Sequence, residues 1–216
     1  MKVLGLDTAT FTSGIAILDG DHVLAEARHD ASGQKSDLLV AIDLACKRAG
    51  IAPTELAVVS VGAGPGSFTG LRIGMATAKG IAFATGKPLW AVSSLAALAH
   101  DAHAPGFIVA VLDARRGEVY AGCYADGILV GEERVMAPGG VAPWAAALAG
   151  DRPITYIGDA LAPSSTTPSG VSVAQVALAG SRIDVLTSGA PTYIRLAEAE
   201  VMYPDGVPGA LPRRDR

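Results

Sequence analysis

The residues of this chain that could do chemistry gather at a few places. Asp7 closes a first apolar run, KVLGL (2–6), and is followed by Thr8, Thr10, Thr12 and Ser13, which puts a carboxylate and several hydroxyls on one turn. Such a set can hold a phosphate and its metal ion, or it can satisfy the backbone of its own turn, as Asp, Ser and Thr do in Asx and Ser/Thr turns. A second apolar run, FIVAVL (107–112), ends the same way in Asp113, with Arg115 and Arg116 in the following turn as ligand contacts or as surface charge.

The third place is the run GAGPGSFTGLRIGMATAKG (62–80). Gly62, Gly64 and Gly66 allow backbone N–H groups to converge, and Ser67 or Thr69 opens a helix whose positive end favours an anion. No Gly-Lys-Ser/Thr closes the run as in a Walker A loop, and no serine stands between glycines as in a nucleophile elbow. A purely structural turn is the other reading. Further along, Gly70, Gly74 and Ala78 recur every fourth residue. A helix-interior glycine costs about 1 kcal/mol relative to alanine, so this stripe predicts close packing against another backbone.

Elsewhere the catalytic inventory is thin. His22 and His29 fall in or beside a strand, and His100 and His103 stand three apart at the end of a helix, short of a metal-ligand set. Glu118 and Asp126 show no acid–base pairing. Cys46 and Cys123 lie far apart in apolar segments and read as small buried hydrophobes. No metal site is expected.

The elements that must position these residues follow from periodicity and punctuation. Strands are predicted at 2–6, 14–18 and 22–28, then a helix capped by Ser36 or Asp37 and running to about Ala49. A buried strand at 56–62 feeds the glycine-rich turn, and a helix from about Ser67 to Thr85 is closed by Gly86 and Pro88. A strand at 89–92 and a helix at 94–103 lead to Pro105-Gly106, the predicted boundary. Strands at 107–112, 117–124 and 127–134 then repeat the opening pattern. A helix near 141–149, a strand at 154–158, a loop at 162–170 and a helix near 173–187 complete the second half. The expected division is an N-terminal lobe at 1–104, a shorter C-terminal lobe at 105–200 and a flexible tail at 201–216.

The chain has 216 residues, half of them apolar and few aromatic, which fits helices packed on largely buried sheets and an α/β class. Its formal net charge of −4 supplies no field that would draw a phosphate backbone, so the chain is not expected to grip RNA alone. Neither a signal peptide nor a membrane-spanning run is read in it, and a cytoplasmic protein is expected.

Two helices carry more apolar surface than one sheet can cover. In the first, Leu38, Leu39, Ile42, Ala45, Cys46 and Ala49 read as the core stripe, while Val40 and Leu44 lie on the opposite side. The second is apolar almost all round, with only Arg72 and Lys79 sharing a polar edge. A protein–protein interface is predicted there, made of Val40, Leu44, Phe68, Thr69, Gly70, Arg72, Ile73, Gly74 and Thr77.

The opening VLGLDTATFTSGIAIL, the block GAGPGSFTGLRIGMATAKGIA, the hairpin LDARRGEVYAGCY and the segment Pro191–Arg195 stand in an order and spacing that resemble the TsaB family. The resemblance implies two tandem actin-like (ASKHA, RNase H-like) lobes of mixed β-sheet flanked by helices, whose Asp-bearing turns clasp nucleotides in actin-like relatives. The nucleotide or anion candidates are then Asp7, Thr8, Thr10, Gly64, Gly66, Ser67, Asp113 and Arg115. It further implies a non-catalytic subunit of the machinery that forms N6-threonylcarbamoyladenosine at position 37 of tRNA. Such a subunit docks a catalytic TsaD-like subunit through the N-lobe helices, works with a TsaE-like ATPase, self-associates when alone and meets tRNA only through the complex. TsaD carries a His-x-x-x-His metal site; here VSSLAAL (92–98) places Ser94 and Leu98 at those positions, so no metal ligand is carried over. No tightly bound cofactor is implied, and ATP or ADP at the partner interface is left open. Two departures from the family pattern fall near the first turn: Phe11 stands where relatives often have Glu, and Lys35 where many have His. The alternative is an enzyme, an actin-like ATPase using Asp7 and Asp113 or a metal-dependent peptidase.

Overall fold

The computed structural model describes residues 1–30, 38–161 and 166–184. Its first sheet is six-stranded, in the order β11-β5-β4-β1-β2-β3. The opening meander, β1 (Lys2–Asp7), β2 (Thr12–Asp19) and β3 (His22–Asp30), is antiparallel, and β4 (Val58–Gly62) and β5 (Leu89–Val92) add parallel to β1. Both faces of this sheet are covered, which is why its strands read as nearly unbroken apolar runs. Leu4, Leu6, Ile15 and Ile17 face α1 (Leu38–Ala49) and α2 (Phe68–Thr85), while Val3, Ala16 and Leu18 alternate to the other side.

That other side is covered by α5 (Gly170–Leu178), which comes from the far end of the chain. A Cβ on Gly5 would lie 1.9 Å from the Gly170 carbonyl oxygen, so helix and sheet backbones touch there, and only glycine permits the contact. β11 (Ile183–Asp184) then pairs antiparallel with β5. Both elements lie within 105–200 yet belong to the first lobe, so the expected division at residue 105 is not contiguous. The helix predicted near 173–187 starts earlier and stops at Leu178, where Gly180 (φ 101°) turns the chain toward β11.

The second sheet runs β10-β6-β7-β8, with β9 also paired to β7. β6 (Phe107–Arg115) and β7 (Glu118–Ala125) form the repeated hairpin, and β10 (Ile154–Gly158) is parallel to β6. The third predicted strand, 127–134, breaks into β8 (Ile128–Leu129) and β9 (Arg134–Met136). Gly131 takes φ 82° and Glu133 turns inward between the two pieces. α4 (Pro138–Ala149) packs Val141, Ala145 and Ala149 on one face of this sheet.

Between the lobes lies α3 (Ser94–His100), whose Leu95, Leu98 and Ala99 join Ile108, Ala110, Leu112 and Tyr124 in one core cluster. Asp101, just past α3, fastens α5: it accepts hydrogen bonds from the Ser169 N–H at 2.9 Å, the Ser169 hydroxyl at 2.8 Å and the Ser172 hydroxyl. Helix boundaries follow their caps. Ser67 accepts from the Gly70 N–H at the start of α2, and Gly86 (φ 66°) ends it. The predicted cap at Ser36 or Asp37, the departure at Lys35, the segment 191–195 and the tail 201–216 lie outside the described residues.

Candidate functional site

β1 delivers Asp7 to the strand end beside β4, where the carboxyl is wholly buried. Its Oδ1 accepts from the Ala9 N–H at 2.7 Å and its Oδ2 from the Ser94 hydroxyl at 2.6 Å. Gly62 leaves room for this bond, since a Cβ there would lie 1.9 Å from Asp7 Oδ2. Burial pushes the Asp7 carboxyl up to about 6, against the lowering effect of the bonds from Ser94 and Ala9, and the charge of Asp101 raises it further. In this conformation the carboxylate is committed to its own chain.

The glycine-rich turn is closed in the same way. The Gly64 N–H donates to Ser94 Oγ at 3.3 Å, the Ser67 N–H to the Ala9 carbonyl at 2.7 Å, and the Ser94 N–H to the Gly64 carbonyl at 2.8 Å. An anion held by the Gly64 or Ser67 N–H would have to displace these bonds. The predicted close packing of the glycine stripe is present and is answered by Thr8: a Cβ on Gly70 would lie 2.1 Å from the Thr8 carbonyl oxygen, and one on Gly74 2.1 Å from Thr8 Oγ1. Gly74, expected at the interface, therefore lies buried beneath Thr8 and offers no surface to a partner.

The second Asp-bearing turn is exposed. Asp113 Oδ1 accepts from the Arg115 N–H at 2.8 Å, its Oδ2 pairs with the Arg115 guanidinium at 2.9 Å, and its own N–H donates to Asp159 Oδ1 at 2.8 Å. The Arg115 guanidinium also sits 4.6 Å from the centroid of the Phe11 ring. The two pseudo-equivalent turns thus meet through a cation–π contact.

The outer faces of α1 and α2 are strongly apolar. Leu39, Val40 and Leu44 are 58, 56 and 47% exposed, and Phe68 and Phe83 42 and 91%. Thr69 and Arg72 are also exposed, with the Arg72 guanidinium 3.9 Å from the Phe68 ring centroid, while Gly70, Ile73 and Thr77 are half-buried. Leu39, expected in the core, is on this surface because Leu38, Ile42, Ala45 and Cys46 fix the helix phase. A recess of about 70 Å³ opens beside these residues, walled by the Thr8–Ser13 turn, His29, Leu38, Ser67, Gly70 and Ile73.

At the two positions where the resemblance puts metal ligands, Ser94 spends its hydroxyl on Asp7 and Leu98 is wholly buried in the core, so neither side chain fits a metal ligand. His100 Nε2 pairs with Gln175 Oε1 at 3.0 Å, and its ring stands edge-on to His103. Cys46 and Cys123 are buried free thiols. Among the described residues, no three His, Cys, Asp or Glu side chains are grouped to hold a metal, and no helix is long and apolar enough to cross a membrane. A polar cluster not legible from local pattern joins the lobes: Glu133 accepts hydrogen bonds from the Tyr124 hydroxyl at 2.5 Å and from the Ser93 hydroxyl that caps α3. Burial pushes the Glu133 carboxyl up, while both bonds act to lower it.

Mixed sheets in two lobes, flanked by helices and with Arg115 at the end of β6 against Phe11 of the turn after β1, define an actin-like α/β chain of the RNase H-like type. The family model for TsaD, tRNA N6-adenosine threonylcarbamoyltransferase, matches residues 30–188. The tRNA threonylcarbamoyladenosine biosynthesis protein TsaB of Bacillus subtilis is 37% identical over 166 residues, covering 73% of this chain and 71% of that protein. An uncharacterised protein of Mycobacterium tuberculosis is 35% identical over 208 residues, 92% of this chain and 93% of the relative. The solved structure of YeaZ from Pseudomonas aeruginosa superposes with a TM-score of 0.75 at 29% identity, over 89% of this chain and 99% of that one. This chain belongs to the TsaB family.

Proposed function

We propose that this chain is a non-catalytic subunit of the complex that forms N6-threonylcarbamoyladenosine on tRNA. In this reading it docks a TsaD-like catalytic subunit through the outer faces of α1 and α2. The observation that carries it is the exposed apolar surface spread over both helices, from Leu39 and Val40 to Phe83. Exposed large hydrophobic side chains concentrated on two adjacent elements mark an interaction surface more often than chance scatter. The role in threonylcarbamoyladenosine biosynthesis comes from the names of the relatives.

The absence of turnover is inferred from the committed groups. Asp7 and Ser94 satisfy each other, and Leu98 fills the core where the resemblance puts a ligand in the catalytic paralogue. An adenine nucleotide, if the complex uses one near this chain, belongs at the boundary with the partner. A TsaE-like ATPase joins the assembled pair, and the free chain self-associates through the same face.

The test is reconstitution. tRNA is incubated with the TsaD-like subunit, the TsaE-like ATPase and the enzyme that makes threonylcarbamoyl-adenylate, with and without this chain, and the nucleosides are analysed by mass. Modification is expected only in its presence, and the chain alone should yield none. Equal modification without it overturns the reading.

A further inference from the structure

The docking helices differ in charge from the chain that carries them. The whole chain holds 17 Lys and Arg against 21 Asp and Glu. α1 and α2 together hold Lys47, Arg48, Arg72 and Lys79 against a single acid, Asp43, and all five are exposed. Asp43 is spent within the face, since its carboxylate pairs at 2.5 Å with Lys47, four residues on. Among the described residues neither Arg48 nor Arg72 pairs with a carboxylate, and the Arg72 guanidinium rests on the Phe68 ring. The cations are interleaved with the apolar surface. Lys47 and Arg48 follow Leu44 by three and four positions, and Lys79 precedes Phe83 by four, so each shares a helix face with an exposed apolar neighbour.

We infer that the surface docking on α1 and α2 belongs to a protein whose facing side is acidic, and that the same cations disfavour a second copy of this chain there. This rests on the docking role proposed above and deepens it by fixing the charge of the partner. A cation carried into an interface without a counter-charge loses its hydration and gains nothing in return. Arg48 and Arg72 bring no counter-charge of their own, so the partner supplies the carboxylates. Two copies meeting through an isologous contact set like charges against each other, and the basic surplus of each works against the pair. A nucleic-acid interface is more polar than this one, whose cations stand among the exposed Leu39, Val40, Leu44 and Phe83, so a protein is the occupant that fits.

The experiment uses the full chain and the TsaD-like subunit, with Kd measured by calorimetry at about 0.05 M and about 0.5 M salt, between which the screening length falls about threefold. Self-association is measured by sedimentation in the same buffers. The native Kd for the partner is expected to rise at least about tenfold at the higher salt. Arg48→Gln with Arg72→Gln removes two charges and keeps polar, helix-forming side chains. At low salt this variant should bind the partner about tenfold more weakly and self-associate more strongly than the native chain. Effects of opposite sign from one variant support the inference, and a folded variant that loses both associations overturns it. The salt series needs no variant, so it decides the matter if the variant melts early. A partner Kd unmoved by salt overturns the acidic partner while leaving the docking role intact, whereas no binding by the native chain at either salt overturns the docking role itself. Binding of free tRNA that the two substitutions abolish, with the partner Kd unmoved, assigns the cations to nucleic acid and also overturns the inference.

Discussion

Ser94 donates its hydroxyl proton to Asp7 across 2.6 Å, although the two are 87 residues apart in the chain. The bond seats an acid in a place without water, and the free energy depends on its charge. The Asp7 carboxyl has a folded value of about 6 against an ordinary 3.8, so between these values the folded chain binds more protons than the unfolded one. Stability from this group is complete below pH 3.8 and is lost as pH rises through 6. The full difference is about 3 kcal/mol. Asp7→Asn keeps the shape and an acceptor for Ser94 without the charge. Urea unfolding at pH 7.5 and pH 4.5 is expected to show the variant gaining stability over the native chain by more at the higher pH. A pH-independent difference would refute the assignment.

Gly70 and Gly74 face the same residue by different atoms, which separates two substitutions. Alanine at either would gain about 1 kcal/mol in helix propensity and lose about 1–3 kcal/mol in overpacking. At Gly70 the added Cβ meets the Thr8 carbonyl oxygen; at Gly74 it meets the Thr8 side chain. Thr8→Ala should therefore rescue part of the Tm lost by Gly74→Ala and none of that lost by Gly70→Ala. Thermal melts of the two double-mutant cycles decide it.

Local elements were legible where the pattern is local. Ser67 and Gly86 bracket α2 as read from the sequence, and the meander β1–β3 follows from its turns. What was not legible depends on distant atoms or on helix phase. The sequence alone does not separate Leu39 from the core, because Leu38 and Leu39 differ by one position, about 100° around the helix, and only packing selects between them. The return of α5 to the first sheet depends on Gly5 meeting Gly170, residues that look like unrelated glycines in the sequence. Glu133 broke a predicted strand because its carboxyl is used by Tyr124 and Ser93. The turn that follows Asp7 was legible from its residues; that Ser94 occupies the Asp7 carboxyl was not.

Glu133 ties the second lobe to the start of α3 through Ser93, and Tyr124, from the same lobe, holds the Glu133 carboxyl in place. Tyr124 is buried, and its hydroxyl is pushed well up by burial, with the charge of Glu133 and the bond to it adding to the rise. Tyr124→Phe removes a hydrogen bond to a charged acceptor, expected to cost about 1.5–3 kcal/mol at neutral pH. It also removes a bond that lowers the Glu133 carboxyl, so Glu133 should titrate higher in the variant, and carboxyl-carbon NMR checks both the direction and the assignment.

The docking face gives the last prediction. Val40 and Leu44 are exposed on one side of α1, outside the core stripe of Leu38, Ile42, Ala45 and Cys46. Replacing both by Asp puts charge on a surface already in water, so the fold should tolerate it, with Tm close to native. Burying the same two carboxylates against a partner would be costly, because an unpaired charge is strongly penalised once desolvated. Co-purification with the TsaD-like subunit is therefore expected to fall at least about tenfold, and self-association measured by sedimentation to fall with it. Leu129, exposed on β8 of the other lobe, provides the control: Leu129→Asp also puts a charge in place of an exposed apolar side chain but should leave both associations unchanged. Loss in the control and retention in the α1 variant would move the interface to the second lobe.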